Sequence, residues 1–202
     1  WAKETNLSVL QILPINDTTA NYTWTDSYPY AAISVYALHP QYLSVEGLEY
    51  NLPKNLVEEY QAKKAELNAL SLIDYEQMIS GKWKFVKAVF EENKDKIYKD
   101  RNFKKFIKEN EEWVLPYAAF CVQRDKYKTP NFNDWKTHKK YIAGKVAPMF
   151  AAKHKEYDAV MLHVWTQYQL HLQLKDAIDY THQLGISVKG DLPIGIYRYS
   201  VE

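Results

Sequence analysis

Hydrophobic and polar positions divide the chain into regimes of different period. Residues 8–15 ("SVLQILPI") form a short apolar run, closed by Pro14 and an Asn16-Asp17 turn, and this is the pattern of a buried strand. Residues 16–29 are polar and rich in Thr, Asn and Asp, which predicts a loop. Residues 36–45 alternate loosely, and Pro40 argues against a long regular element there. Past Pro53 the spacing becomes helical. Leu56, Tyr60, Leu67 and Leu70 fall on one face, Trp83, Val86, Phe90 and Ile97 on the next, and Phe103, Phe106 and Ile107 on a third. Gly81 and "TPNFND" (129–134) read as separators between helices, and Pro116 as the first turn of a further one. A long helix is expected over about 157–184, with Leu170, Leu174, Ala177, Ile178 and Thr181 as its later stripe and Gly185 as its cap. "ISVKGDLPIGI" (186–196) then reads as a second buried strand ending near Asp191.

The order of these elements predicts a topology. Two strands each run into a turn that carries a carboxylate, Asp17 after the first and Asp191 after the second. A helix precedes the second strand, and parallel strands need such crossovers. The expected class is α/β: about a quarter of a (β/α)8 barrel, mostly helical because of a large insertion. Residues 1–53 would hold an early barrel strand and a substrate loop, 54–155 a helical insertion, and 156–202 a barrel helix and strand. Chemistry in such barrels gathers at the C-terminal ends of the strands, where both carboxylates fall.

Composition narrows the classes. The 202 residues are 47% hydrophobic, enough for a sizeable core. No apolar run approaches the roughly 18 residues of a membrane span. The single cysteine, Cys121, excludes an internal disulfide framework, fits a reducing, cytoplasmic setting, and is expected to pack as a small hydrophobe. The start, "WAKETNLSV", lacks a secretory pattern and reads like the interior of a helix, so a longer parent chain is expected. Net charge is +1 but uneven: residues 54–155 hold 22 Lys and Arg against 14 Asp and Glu, a net +8. The lysines alternate with glutamates along helical faces, as in "EENKDKIYKDRNFKKFIKENEE", which favours solvated helices over a nucleic-acid surface.

Three carboxylates, Asp17, Asp26 and Asp191, are candidates for glycosidic chemistry, which needs a pair of them across a sugar ring. Spacing alone fits ordinary turn chemistry as well. "DSYPY" (26–30), with Trp24 close before it, offers aromatic faces and hydroxyls suited to sugars, or equally to a packed aromatic loop. His163 and His171 flank Gln167 on one helix face, but "HVWTQYQLH" lacks the HExxH zinc pattern, so no metal site is assigned. No Gly-rich phosphate loop or GxSxG elbow occurs.

Four stretches carry a resemblance: "LQILPINDT", "DSYPYAAISVYALHPQYL", "WVLPYAAFCVQRDKY" and "QYQLHLQLKDAIDYTHQLGISVKGDLPIGIYRYSVE". Together they resemble the 4-α-glucanotransferases, also called amylomaltases or disproportionating enzymes, over essentially the whole chain. The Asn-Asp-Thr turn and the extra tyrosine of "DSYPY" are similar to the type that plants use on maltose in the cytosol; simpler bacterial members tend to have "DSPY", from which Tyr28 departs. The resemblance implies a (β/α)8 barrel with a helical insertion. It implies retaining transfer between maltose or maltodextrins and an acceptor such as glycogen, without metal or organic cofactor and without nucleic-acid or membrane partners. Asp26, Ser27 and Tyr30 match the substrate-lining motif, and Asp191 the aspartate after an early strand. The family's nucleophile, acid/base and transition-state-stabilising carboxylates belong to later R-x-D-H, E-D-L and T-H-D motifs, which do not occur before Glu202; Asp125 in "RDKY" is no substitute. The chain is thus expected to carry substrate-lining groups without the catalytic acids, and either to self-associate through open strand edges or to be a helical subdomain stable largely on its own. A hydrolase on the same barrel, or a non-catalytic helical interaction module, remains open at this level.

Overall fold

In the computed structural model, which describes residues 1–50, 52–195 and 197–202, the described residues form five α-helices and a two-stranded parallel ribbon. Asn51, in the 1–53 segment, and Ile196, the last residue of the stretch "ISVKGDLPIGI", lie outside the described residues. The strands are β1 (Val9–Gln11) and β2 (Ser187–Lys189), in register Val9↔Ser187 to Gln11↔Lys189. The helices are α1 (Lys54–Asn68), α2 (Tyr75–Lys99), α3 (Arg101–Tyr127), the single turn α4 (Ala143–Val146) and α5 (Tyr157–Gln183). Parallel pairing of residues so far apart makes the intervening helices one crossover, as the β/α alternation predicts.

Both strands are shorter and more open than expected. Each has exposed residues flanking one half-buried one, and Val9 is 54% exposed. Among the described residues each strand has a single strand neighbour, and Leu10 and Val188 are only half-buried, so the strands are not the fully buried pair that the sequence pattern predicts.

The helix boundaries follow capping chemistry more than glycine and proline. Asp74 caps α2 by accepting from the Gln77 N–H at 3.0 Å. Asp100 alone separates α2 from α3 and accepts from the Asn102 N–H at 2.7 Å. Gly81 does not separate helices: it lies inside α2 where α1 packs, and a Cβ there would meet Lys63 Cγ at 4.0 Å. Pro116 does not open a helix either. It sits within α3, and although its ring removes one N–H, burial of every residue from Tyr117 to Arg124 holds the helix together. The helix α5 ends as expected. Gly185, at φ 73°, donates to His182 O, and the Ile186 N–H donates to Thr181 O, the paired bonds of a left-handed cap.

The main core packs α2, α3 and α5 around Phe90, Phe103 and Trp165, and Leu43, Val45 and Leu48 join it from the N-terminal segment. The first half of α5 is buried all round, Val160 to Leu170, whereas its later stripe is only half-covered: Ala177 is exposed. Two glutamines on α5 serve the passing chain in place of a strand. Gln167 accepts from the Leu38 N–H and donates to Leu38 O, both at 2.8 Å, and Gln173 does the same for Ser44. Lysines of 54–155 face solvent in pairs such as Lys63–Glu66 (2.7 Å).

Candidate functional site

The loop after β1 is fastened to the helices by buried polar groups. Asp17 is fully buried; its Oδ1 accepts from the N–H and hydroxyl of Thr19, both at 2.8 Å, and its Oδ2 from the Tyr117 hydroxyl at 2.6 Å. Burial pushes the Tyr117 phenol well above its ordinary range, so it remains a donor. Arg124, 2% exposed, donates to Thr19 O, to the Thr19 hydroxyl at 3.0 Å, and to the Tyr22 hydroxyl, while stacking over the Tyr22 ring at 4.6 Å. Its charge is met by Asp125 at 2.9 Å. Burial works against ionisation of Asp125, yet Arg124 and His163 hold its carboxyl below the usual carboxylate range.

The "DSYPY" lip stands on this foundation. Asp26 is buried, and its Oδ2 accepts from the backbone N–H groups of Asn21 (2.9 Å) and Tyr22 (2.6 Å). Burial raises its carboxyl above the ordinary value despite those two bonds. Ser27 is exposed and donates to Trp24 O at 2.7 Å, which leaves its lone pairs as acceptors. Tyr28 and Trp24 are 61% and 70% exposed. Tyr30 reaches back across 161 positions and donates to Asp191 Oδ2 at 2.8 Å. That bond pushes the phenol above its ordinary range. The other carboxylate oxygen of Asp191 accepts from the Leu192 N–H at 2.9 Å.

The chain leaving β2 lies against the lip. A Cβ on Gly195 would fall 2.5 Å from Tyr30 O, so only glycine permits this approach of two backbones. Farther on, Val201 N–H donates to Ile33 O at 2.8 Å and Ser34 donates to Glu202 at 2.7 Å.

The four candidate residues therefore separate into two roles. Tyr30 and Asp191 meet at the C-terminal end of β2, Ser27 faces solvent beside them in sequence, and Asp26 is turned inward to order the loop. Asp17, Asp26 and Asp191 do not converge as an exposed set. Sequence reasoning missed Arg124, Tyr117, Gln167 and Gly195. His163 Nε2 lies 3.3 Å from Asp125 Oδ2 and the ring packs edge-on against Trp83, a structural placement. Cys121 is free and buried, and burial pushes its thiol up to about 12. Among the described residues no group of three or more His, Cys, Asp or Glu is placed to hold a metal ion, and no helix is long and apolar enough to cross a membrane.

The sequence model of the family described as 4-alpha-glucanotransferase matches residues 1–202. The chain belongs to the 4-alpha-glucanotransferase family. It is 37% identical over its whole length to 4-alpha-glucanotransferase DPE2 of Oryza sativa subsp. japonica, of which it spans 21%. It is 30% identical to the 4-alpha-glucanotransferase of Chlamydia muridarum, covering 37% of that protein. Among solved structures, the amylomaltase of Streptococcus agalactiae, in complex with acarbose, superposes with a TM-score of 0.75 at 20% identity, over 100% of this chain and 39% of that one. The amylomaltase of Corynebacterium glutamicum gives 0.73 at 18% identity, over 99% and 27%. The chain thus has the fold of a part of amylomaltase and spans between a fifth and two fifths of these 4-alpha-glucanotransferase relatives.

Proposed function

We propose that these residues form the substrate-lining part of an enzyme that transfers α-1,4-glucan units from maltose or maltodextrins to a glucan acceptor such as glycogen. The observation that carries this reading is the Tyr30–Asp191 hydrogen bond. It joins two of the stretches that carry the family resemblance at the C-terminal end of β2, where barrel enzymes assemble their sites. In this reading β1 and β2 are neighbouring strands of a (β/α)8 barrel, residues 54–155 are an insertion between them, and the enzyme works in the cytoplasm.

The mechanism is a retaining double displacement. A carboxylate attacks the anomeric carbon while a carboxylic acid protonates the departing sugar oxygen; a 4-hydroxyl of the acceptor then replaces the carboxylate. Both acids lie outside residues 1–202, in keeping with Asp17 and Asp26 being spent on the loop. Tyr30 and Asp191 address sugar hydroxyls, Ser27 adds an acceptor, and the exposed rings of Trp24 and Tyr28 offer faces for C–H stacking. Asp26 contributes by holding the lip's shape. In the full-length enzyme, Tyr30→Ala and Ser27→Ala are expected to weaken maltodextrin binding and lower turnover with little loss of thermal stability. Unchanged KM and kcat in both variants would remove the assignment.

A further inference from the structure

A cleft of about 450 Å3, whose lining does not include Asp191, lies between the C-terminal half of α3, the 130–141 loop and residues 198–202. That volume is in the range of small-molecule sites. Its floor is aromatic, from Phe120, Phe132 and Trp135, with Phe120 and Trp135 centroids 5.5 Å apart. Gln123 lines it, is 2% exposed, and has an Oε1 without any hydrogen-bond partner; its amide nitrogen has only Met149 Sδ, at 4.0 Å. A buried carboxamide left in this state costs stability unless something donates to it.

The rim supplies the opposite property. His138, Lys139, Lys140 and Arg198 border the cleft, and none of them is ion-paired among the described residues. The one carboxylate on the rim, Glu202, accepts from the Ser34 hydroxyl and the Val35 N–H. His138 holds a left-handed backbone, φ 60°, which turns the Lys139-Lys140 pair at this edge and is uncommon outside glycine.

We propose that this cleft binds a small phosphate monoester carried on a ring that donates a hydrogen bond. The ring lies on the aromatic floor and donates to Gln123 Oε1, and the phosphate meets Lys139, Lys140 and Arg198. A hexose phosphate and a purine nucleoside monophosphate share this chemistry.

Calorimetric titration of the full-length enzyme with glucose 1-phosphate, AMP and inorganic phosphate tests the site and tells the two sources apart. Saturable binding of one of the two esters, tighter than that of inorganic phosphate, is expected. The exposed double change Lys139→Ala/Lys140→Ala, and separately Arg198→Ala, should weaken it by about tenfold or more. Gln123→Met should weaken the ester and leave inorganic phosphate unaffected, while Asp191→Asn should leave ester binding unchanged. Binding that survives the rim changes, or that is lost in Asp191→Asn, would place the ligand elsewhere and overturn the proposal. So would an absence of binding by both esters.

Discussion

Individual carboxylates in this chain do different work according to their burial. Asp17, with three donors, and Asp26, with two, are buried, whereas Asp191, also with two, from Tyr30 and from its own neighbour, is only half-buried. Tyr117→Phe strips Asp17 of its one donor from a helix and should cost about 1–3 kcal/mol in chemical denaturation, without a local change at Tyr30. A result near zero would mean that Asp17 is not the anchor described. Asp26 gives a prediction in pH. Its carboxyl is raised in the folded chain, so below that value the folded state holds a proton that the unfolded state has begun to release. Stability from this group is therefore greatest in acid and declines as pH rises through the folded value. Asp26→Asn keeps an acceptor and should flatten the decline measured above the ordinary carboxylate value of about 4, while Asp26→Ala should lose about 1–3 kcal/mol throughout. Parallel profiles for wild type and Asp26→Asn would contradict it. Tyr30 and Asp191 could be picked out in the sequence because each sits in a distinctive turn. Arg124 could not: it is one more cation in a basic helical stretch, and only tertiary burial makes it an anchor.

At the scale of elements, the long helices were readable because their apolar positions repeat at helical spacing over many turns. Their ends were readable where a cap was present, as at Gly185. They were misread where glycine and proline were taken as punctuation, because packing overrode Gly81 and Pro116. Gly185→Ala should cost about 1 kcal/mol, since its left-handed φ is closed to ordinary side chains. Lys82, on α2, donates to Gln41 O and ties that helix to the segment after the lip. Burial pulls its ammonium down to about 8, against the attraction of Glu46. The unfolded chain keeps that proton up to the ordinary 10.5, so between these values the unfolded state binds more protons and stability rises with pH. Lys82→Met should lack this rise. Unfolding free energies of the two proteins, compared across that window, settle the matter: a constant difference would refute a buried, displaced ammonium.

For the whole molecule, the proposed function makes the parallel ribbon and the lip part of a larger site. Val9, Leu13, Leu192 and Ile194 are 54%, 61%, 80% and 87% exposed beside strands that have one neighbour each. Residues 1–202 expressed alone should therefore self-associate in light scattering, and a monomer at high concentration would contradict this. The parallel strand pair was legible only as an order of elements, because strands three residues long carry too little periodicity to announce themselves. The most direct test of the account is glucose release from maltose by the full-length enzyme, with and without glycogen, with residues 1–202 as a control. The account predicts release that depends on glycogen and a silent control. Release indifferent to glycogen would mean a hydrolase, and an active control would mean that the catalytic acids lie within these 202 residues after all.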